Sequence, residues 1–77
     1  MSARLPSLRG DAVVRALKKS GFEVVRIKGS HHIMEHAVDP ARRTVVPVHA
    51  GKDVKRGLLR KIIDDAGLTV EEFCDLL

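Results

Sequence analysis

The sequence has one cysteine, two aromatic side chains and no long apolar run among its 77 residues. The single cysteine, Cys74, excludes an internal disulfide and a cysteine-rich zinc site. The aromatic residues are Phe22 and Phe73, with no Tyr or Trp. Because proteins that read single-stranded bases need aromatic stacking platforms, this shortage argues against that mode of nucleic-acid recognition.

The apolar stretch Thr44–Val48 is far too short to span a bilayer, and the start of the chain does not resemble a signal peptide. We therefore expect a cytoplasmic protein without a membrane partner. The length predicts one domain over residues 1–77, with residues 1–6 as a loose lead-in. A domain of this size has no room for a cofactor-binding unit, and we expect no cofactor.

Positive charge is abundant, with 14 Lys and Arg against 10 Asp and Glu and a formal net charge of +4. In so short a chain this balance indicates a polyanionic partner such as RNA. The competing interpretation is that a charge of +4 serves solubility alone.

Residue periodicity predicts two main helices around a block of strands. The first helix covers about residues 8–20, with Ser7 as its cap, Asp11 in its first turn and Ser20-Gly21 at its end. The second starts near Val54 and closes at Gly67. Its apolar stripe comprises Val54, Leu58, Leu59, Ile62, Ile63 and Ala66.

Three β-rich segments lie between these helices, at Phe22–Lys28, His31–Ala37 and Arg43–Val48. Pro47 has no backbone N–H, which suits an edge strand or a strand end. After the second helix, Thr69 and Glu72 form a capping-box pattern that opens a short last helix. The sequence predicts a small two-layer α+β domain in the order α-β-β-β-α, with a three-stranded antiparallel sheet, helices on one of its faces and a short C-terminal helix.

The adjacent histidines His31 and His32, directly after the turn Gly29-Ser30, are the strongest candidates for chemistry. Histidine can both accept and donate a proton near neutral pH. Adjacent residues on a strand point to opposite faces, so the two imidazoles cannot enter one pocket, and we expect one of them to be structural.

Cations surround this pair along the chain, and a second group lies at the start of the second helix. Backbone N–H groups at a helix start, together with mobile cations, form a phosphate site, whereas the bland interpretation is a solvated basic helix end. The candidate RNA-binding residues are Arg26, Lys28, Gly29, Ser30, Arg42, Arg43, Lys52, Lys55 and Arg56. With RNA held there, a neutral imidazole could activate a ribose 2′-OH to attack the adjacent phosphate without a metal.

A metal site is a weaker alternative. His32 and His36 share a strand face, but four residues of strand span roughly 13 Å, which is too far for one ion unless a third element bends in. His49 would have to supply that element. Cys74 as a nucleophile is weaker still, because it lies in an apolar helical stripe.

Five short segments occur in a characteristic order and spacing: Gly21-Phe22, Lys28–His32, Val45–Lys52, Gly57–Ile62 and Ala66–Leu68. Together they resemble one known family, the HicA-type toxins of bacterial toxin–antitoxin pairs, also called YcfA-like proteins. The resemblance runs from about Leu8 to Phe73, and its specificity lies in the ordered set.

This resemblance implies a fold like a double-stranded-RNA-binding domain, an mRNA interferase activity, a catalytic histidine in the Gly-Ser-His motif and neutralisation by a cognate HicB antitoxin. Applied to this sequence, the resemblance implies that Gly29 shapes the turn and that a histidine of the motif is the acid/base. We prefer His31 for this role, with His32 next. The family's usual threonine at the start of the second helix is Leu58 here. A basic toxin also predicts an acidic contacting surface on the antitoxin.

Two other functions remain open at this point. A non-catalytic module could bind structured RNA by shape, which would leave the histidine pair without a role. A protein-interaction domain would not require the basic composition.

Overall fold

The computed structural model describes residues 4–77. Met1–Ala3, which belong to the predicted lead-in, lie outside the described residues. The elements in chain order are β1 (Leu8–Arg9), α1 (Gly10–Lys19), β2 (Phe22–Lys28), β3 (His31–His36), β4 (Arg43–Pro47), β5 (Asp53–Val54), α2 (Arg56–Asp65) and α3 (Val70–Cys74).

The three long strands form one antiparallel sheet in the order β2-β3-β4. In β2 the register shifts between Val24 and Arg26, which leaves Val25 as a bulge. β4 is an edge strand, as the proline at its end predicts. The predicted α+β architecture with a three-stranded sheet and a short last helix is confirmed.

One face of the sheet is buried beneath the helices. Met34 and Val46 are fully buried on it, and Thr44 is nearly so. Helix α1 contributes Val13, Ala16 and Leu17 to this core, and α2 contributes Leu59, Ile62 and Ile63. The opposite face, which carries Ile33 and Val45, has no helix over it in the described part of the chain.

The first helix begins two residues later than predicted, and Ser7 does not cap it. Leu8 and Arg9 instead pair with Val54 and Asp53, and the Ser7 hydroxyl donates to the Asp53 carboxylate at 2.7 Å. This tertiary pairing overrides the local capping signal. It also explains why Val54 lies in a strand and α2 starts at Arg56 rather than near Val54.

Two predicted packing details need correction. Leu58 is 41% exposed, because α2 turns Leu59, Ile62 and Ile63 toward the sheet. Leu5, within the segment expected to be loose, is buried with the core.

The other end signals are confirmed. Gly21 follows α1 with a φ of 99°, and the Thr69–Glu72 capping box is complete. Between residues 4 and 77, no helix is long and apolar enough to cross a membrane.

Candidate nucleic-acid interface

The Gly29-Ser30 turn joins β2 to β3 and fixes where the histidine pair begins. Gly29 has a φ of 60°, which a residue with a side chain adopts at a cost, and the turn closes a hairpin in which Lys28 pairs with His31. The pairing of Ser30 with Val48, whose N–H donates to the Ser30 carbonyl at 2.7 Å, also brings the end of β4 to this turn.

His31 and His32 lie on opposite faces of the sheet, as the strand alternation predicts. His31 is exposed and pairs with Pro47 on the open face. His32 is half-buried on the face that carries Met34 and Val46. Its Nδ1 is sealed from solvent and has no hydrogen-bond partner among the described residues. The imidazole of His32 is therefore more enclosed by the protein than that of His31.

His36 has a structural role. Its Nδ1 accepts hydrogen bonds from the backbone N–H groups of Val38 and Asp39, both at 3.2 Å, so Nε2 carries the proton and donates to the Ser20 carbonyl at 3.1 Å. The ring also stands edge-on to Phe22, with 5.3 Å between centroids. Both ring nitrogens are therefore occupied by protein groups.

Three of the predicted RNA-binding cations share the open face with His31. The register places Lys28 opposite His31 and Arg26 opposite Ile33, and Arg43 lies at the far end of β4. All three side chains are exposed. Arg43 also forms a 3.5 Å ion pair with Glu35, so its charge is partly compensated. Arg26 and Lys28, nearer to His31, form no ion pair within residues 4–77 and so keep their full charge.

Arg42 lies apart from this group. Its Nε donates to the Ala66 carbonyl at 2.9 Å, and its guanidinium lies 5.4 Å from the centroid of Phe22. These contacts join the β3–β4 connection to the end of α2. The side chain is half-buried and is engaged in holding the fold together.

The second predicted group lies at the start of α2. Lys55 is the cap residue and makes no side-chain cap bond, and the first turn contains no acidic residue. Lys52, Lys55 and Arg56 are all exposed. The backbone N–H groups of this helix start therefore meet a basic surface, which is the arrangement that accepts phosphate.

Two neighbouring grooves lie near the two basic groups. The larger, of about 430 Å³, lies between β4 and α2 and is lined by residues that include His31, Arg43 and Leu58. The second is lined by residues that include His49, Lys52 and Lys55, and the two grooves share Pro47 and Leu58. The turn residue Ser30 approaches this region, with its hydroxyl 3.3 Å from Nε2 of His49.

A family model described as "HicA toxin of bacterial toxin-antitoxin" matches residues 10–68, which is most of the chain. The chain belongs to the HicA toxin family. A search of curated proteins gives no match. The predicted resemblance is confirmed, and membership in this family implies an antitoxin as a partner.

The segment that matches the HicA family contains every candidate site residue named above. It also contains His49, which the sequence argument considered only as a metal ligand. The signal that could have found it is the antiparallel meander. Because β4 runs back toward the start of β3, the residues after Pro47 must end beside the Gly29-Ser30 turn.

Proposed function

We propose that this HicA-family toxin is a metal-independent endoribonuclease that cleaves mRNA with a histidine acid/base, and that a HicB-type antitoxin neutralises it in the cytoplasm. The observation that carries the proposal is the end of the sheet at the Gly29-Ser30 turn. There the imidazoles of His31 and His49 and the ammonium group of Lys28 come from adjoining positions on three chain segments.

In the proposed reaction, a neutral imidazole removes the proton from a ribose 2′-OH. The 2′-oxygen then attacks the adjacent phosphorus, and the bond from phosphorus to the 5′-oxygen breaks. A second, protonated imidazole donates the proton that the departing 5′-oxygen requires. The products are a 2′,3′-cyclic phosphate and a 5′-OH end, so the reaction consumes no water and needs only acid/base groups and charge compensation.

The base is a residue of the His31–His32 pair, as the family motif implies. His31 is supported by sharing the open face with Arg26 and Lys28, which would hold the RNA backbone. His32 is supported by its half-buried position, since packing restricts a side chain and catalysis favours groups that are already held in position. His49 is the candidate acid, because its ring contacts the turn that carries the pair.

Phosphate binding extends from this turn to the start of α2. Lys52, Lys55 and Arg56 would bind the RNA backbone together with the helix N–H groups, while Gly29 and Ser30 allow close approach at the turn. Arg43 contributes at the far end of β4. We leave Arg42 out of this set because its guanidinium is engaged with Ala66 and Phe22.

Alanine variants of His31, His32 and His49 test the proposal. Each purified variant is incubated with a defined RNA, and cleavage and RNA binding are measured separately. We expect the base variant to lose cleavage by 10²-fold or more, as is typical for an acid/base group (~10²–10⁴), while RNA binding stays within about threefold of the starting protein.

Arg15→Ala is the matched control for loss of surface charge. Arg15 is exposed on α1, away from the sheet's open face, and its guanidinium forms a 3.4 Å ion pair with Asp11. We expect this variant to cleave RNA normally, whereas Lys28→Ala should weaken RNA binding. Full cleavage by all three histidine variants would refute the mechanism, and RNA binding without any cleavage by the starting protein would instead indicate a binding module.

A further inference from the structure

The outer edge of β4 presents unpaired backbone groups. The N–H of Val48 donates to Ser30, and the N–H of His36 donates to the carbonyl of Arg42, so the even-numbered residues of β4 face β3. By strand alternation, the N–H and C=O groups of Arg43 and Val45 point away from the sheet. Neither residue's backbone has a hydrogen-bond partner there among residues 4–77.

The opposite edge of the sheet is more strongly protected against strand pairing than the β4 edge, whose protecting features are limited to Arg43 at its start and Pro47 at its end. β2 carries the bulge at Val25 and the charged side chains of Arg26 and Lys28. Bulges and charges are the features by which proteins prevent pairing at an edge. β4 has a regular register from Arg43 to Pro47 and displays Val45, which is 42% exposed.

An apolar groove runs beside this open edge. Leu58 and Ile62 of α2 form its far wall, and Val45 and Pro47 form its near wall. Leu58 is the residue that sequence periodicity assigned to the core, yet it is 41% exposed here. Polar side chains also border this groove. The charge of Lys61 is compensated by Asp65 at 3.0 Å, whereas His31 lies exposed near the Gly29-Ser30 turn.

We infer that the antitoxin binds by adding an extended segment to β4 as a fourth strand of the sheet. The inference rests on the proposed function and specifies how the partner docks. Backbone groups of the segment would pair with those of Arg43 and Val45, and its apolar side chains would enter the groove beside Leu58. Its acidic side chains would face the neighbouring lysines, Lys52 and Lys55. This is the β-strand addition mode of peptide recognition.

Charge complementarity favours the antitoxin over a second copy of this chain. The protein has a net charge of +4, so two copies repel each other, whereas an acidic segment is attracted. The same docking explains inhibition. A strand along β4 would cover the groove beside His31, next to the groove that Lys52 and Lys55 line, and RNA and antitoxin would then compete.

The test uses the ¹⁵N-labelled full chain and the purified antitoxin of the same toxin–antitoxin pair. Amide hydrogen exchange is measured for the free protein and for the complex. We expect the Arg43 and Val45 amides to exchange rapidly in the free protein and at least about tenfold more slowly in the complex. The Val46 amide, which already bonds to β3, serves as the internal reference.

Two substitutions at one position separate backbone pairing from side-chain docking. Val45→Pro removes the outward N–H but keeps an apolar side chain, and an edge strand tolerates it because that N–H bonds to nothing in β3. Val45→Ala keeps the N–H and loses two methyl groups. We expect the proline variant to bind the antitoxin at least about tenfold more weakly, and the alanine variant only about threefold.

Several outcomes would overturn the inference while leaving the proposed function intact. One is tight antitoxin binding with unchanged exchange at Arg43 and Val45, and another is a weaker complex for Val45→Ala than for Val45→Pro. Protection of these amides by RNA alone, or by self-association seen in sedimentation, would assign the edge to another occupant. Absence of any antitoxin binding would refute the partner in the proposed function as well. Because the exchange measurement uses the unsubstituted chain, it stands even if the proline variant fails to fold.

Discussion

The contact between the start of α1 and the end of β4 predicts opposite effects for one chemical change at two glycines. At Gly10, an added Cβ would overlap the carbonyl oxygen of Pro47 and stand 2.9 Å from the Cα of Val48. Both neighbours are backbone atoms, which cannot rotate away as a side chain would. At Gly57, on the exposed surface of α2, an added Cβ meets nothing within 4 Å.

The expected changes in the free energy of unfolding follow from this difference in surroundings. Overpacking typically costs about 1–3 kcal/mol, so Gly10→Ala should lower the free energy of unfolding by about 2 kcal/mol. Gly57→Ala should raise it by about 0.5–1 kcal/mol, because alanine restricts the unfolded chain and favours the helix. For a domain of 60–100 residues, about 2 kcal/mol corresponds to a Tm lower by roughly 8–16 °C.

Urea denaturation and thermal melts of both variants, monitored by circular dichroism, provide the assay. The unsubstituted protein is the reference, and the two variants control for each other because both replace a glycine by an alanine. If Gly10→Ala proves as stable as the unsubstituted protein, α1 does not approach β4 as described, and the position of the Gly29-Ser30 turn relative to α1 would need revision.

Three further predictions concern stability. His36→Ala should cost about 2–3 kcal/mol, because it removes three hydrogen bonds and the edge contact with Phe22, and RNA cleavage per folded molecule should be unchanged; equal stability would contradict the structural role. Thr44→Val should stabilise the domain by about 1 kcal/mol, since the Thr44 hydroxyl is buried without a hydrogen-bond partner in the described chain; a loss of stability in urea would indicate a hidden partner. The Glu72 carboxylate accepts hydrogen bonds from Thr69, and these lower the pKa of that carboxyl below its ordinary value of 4.5. The bond from the Thr69 backbone N–H has the largest effect, and the Thr69 side chain adds to it. The ionised Glu72 carboxylate therefore contributes its full stabilisation above pH 4.5, and this stabilisation is lost as the pH falls through the lowered folded-state pKa. In urea titrations over that pH range, the stability of Glu72→Gln should depend less on pH than that of the unsubstituted protein. An identical pH dependence of the two proteins would refute this origin.

Local signals predicted most of the fold. β2 is encoded by a β-branched run that ends at Gly29, and α3 by the Thr69–Glu72 capping box, so neighbouring residues suffice to define both. The start of α1 was mispredicted because two-residue strands leave no periodic pattern. The pairing of Leu8–Arg9 with Asp53–Val54 becomes visible only in three dimensions.

The candidate site, too, could be predicted only in part from the sequence. Strand alternation already separates His31 from His32, because it depends only on sequence position. Two other features depend on the β3–β4 register and could not be predicted from the sequence. These are the structural contact of Arg42 with Ala66 and the approach of His49 to Ser30. The exposed position of Leu58 was missed because Leu58 and Leu59 both fit a 3.6-residue stripe, and only packing against the sheet selects Leu59.

The proposed RNA chemistry is tested most directly by one pair of substrates. The purified protein is incubated in EDTA with an RNA oligonucleotide and with the same oligonucleotide carrying a 2′-deoxy nucleotide at the cleaved position, and the ends of the products are mapped. We expect cleavage of the RNA alone, with a 2′,3′-cyclic phosphate and a 5′-OH end. Cleavage of the 2′-deoxy substrate, 5′-phosphate ends, or activity that appears only when a divalent cation is restored would contradict a histidine-driven attack by the 2′-OH.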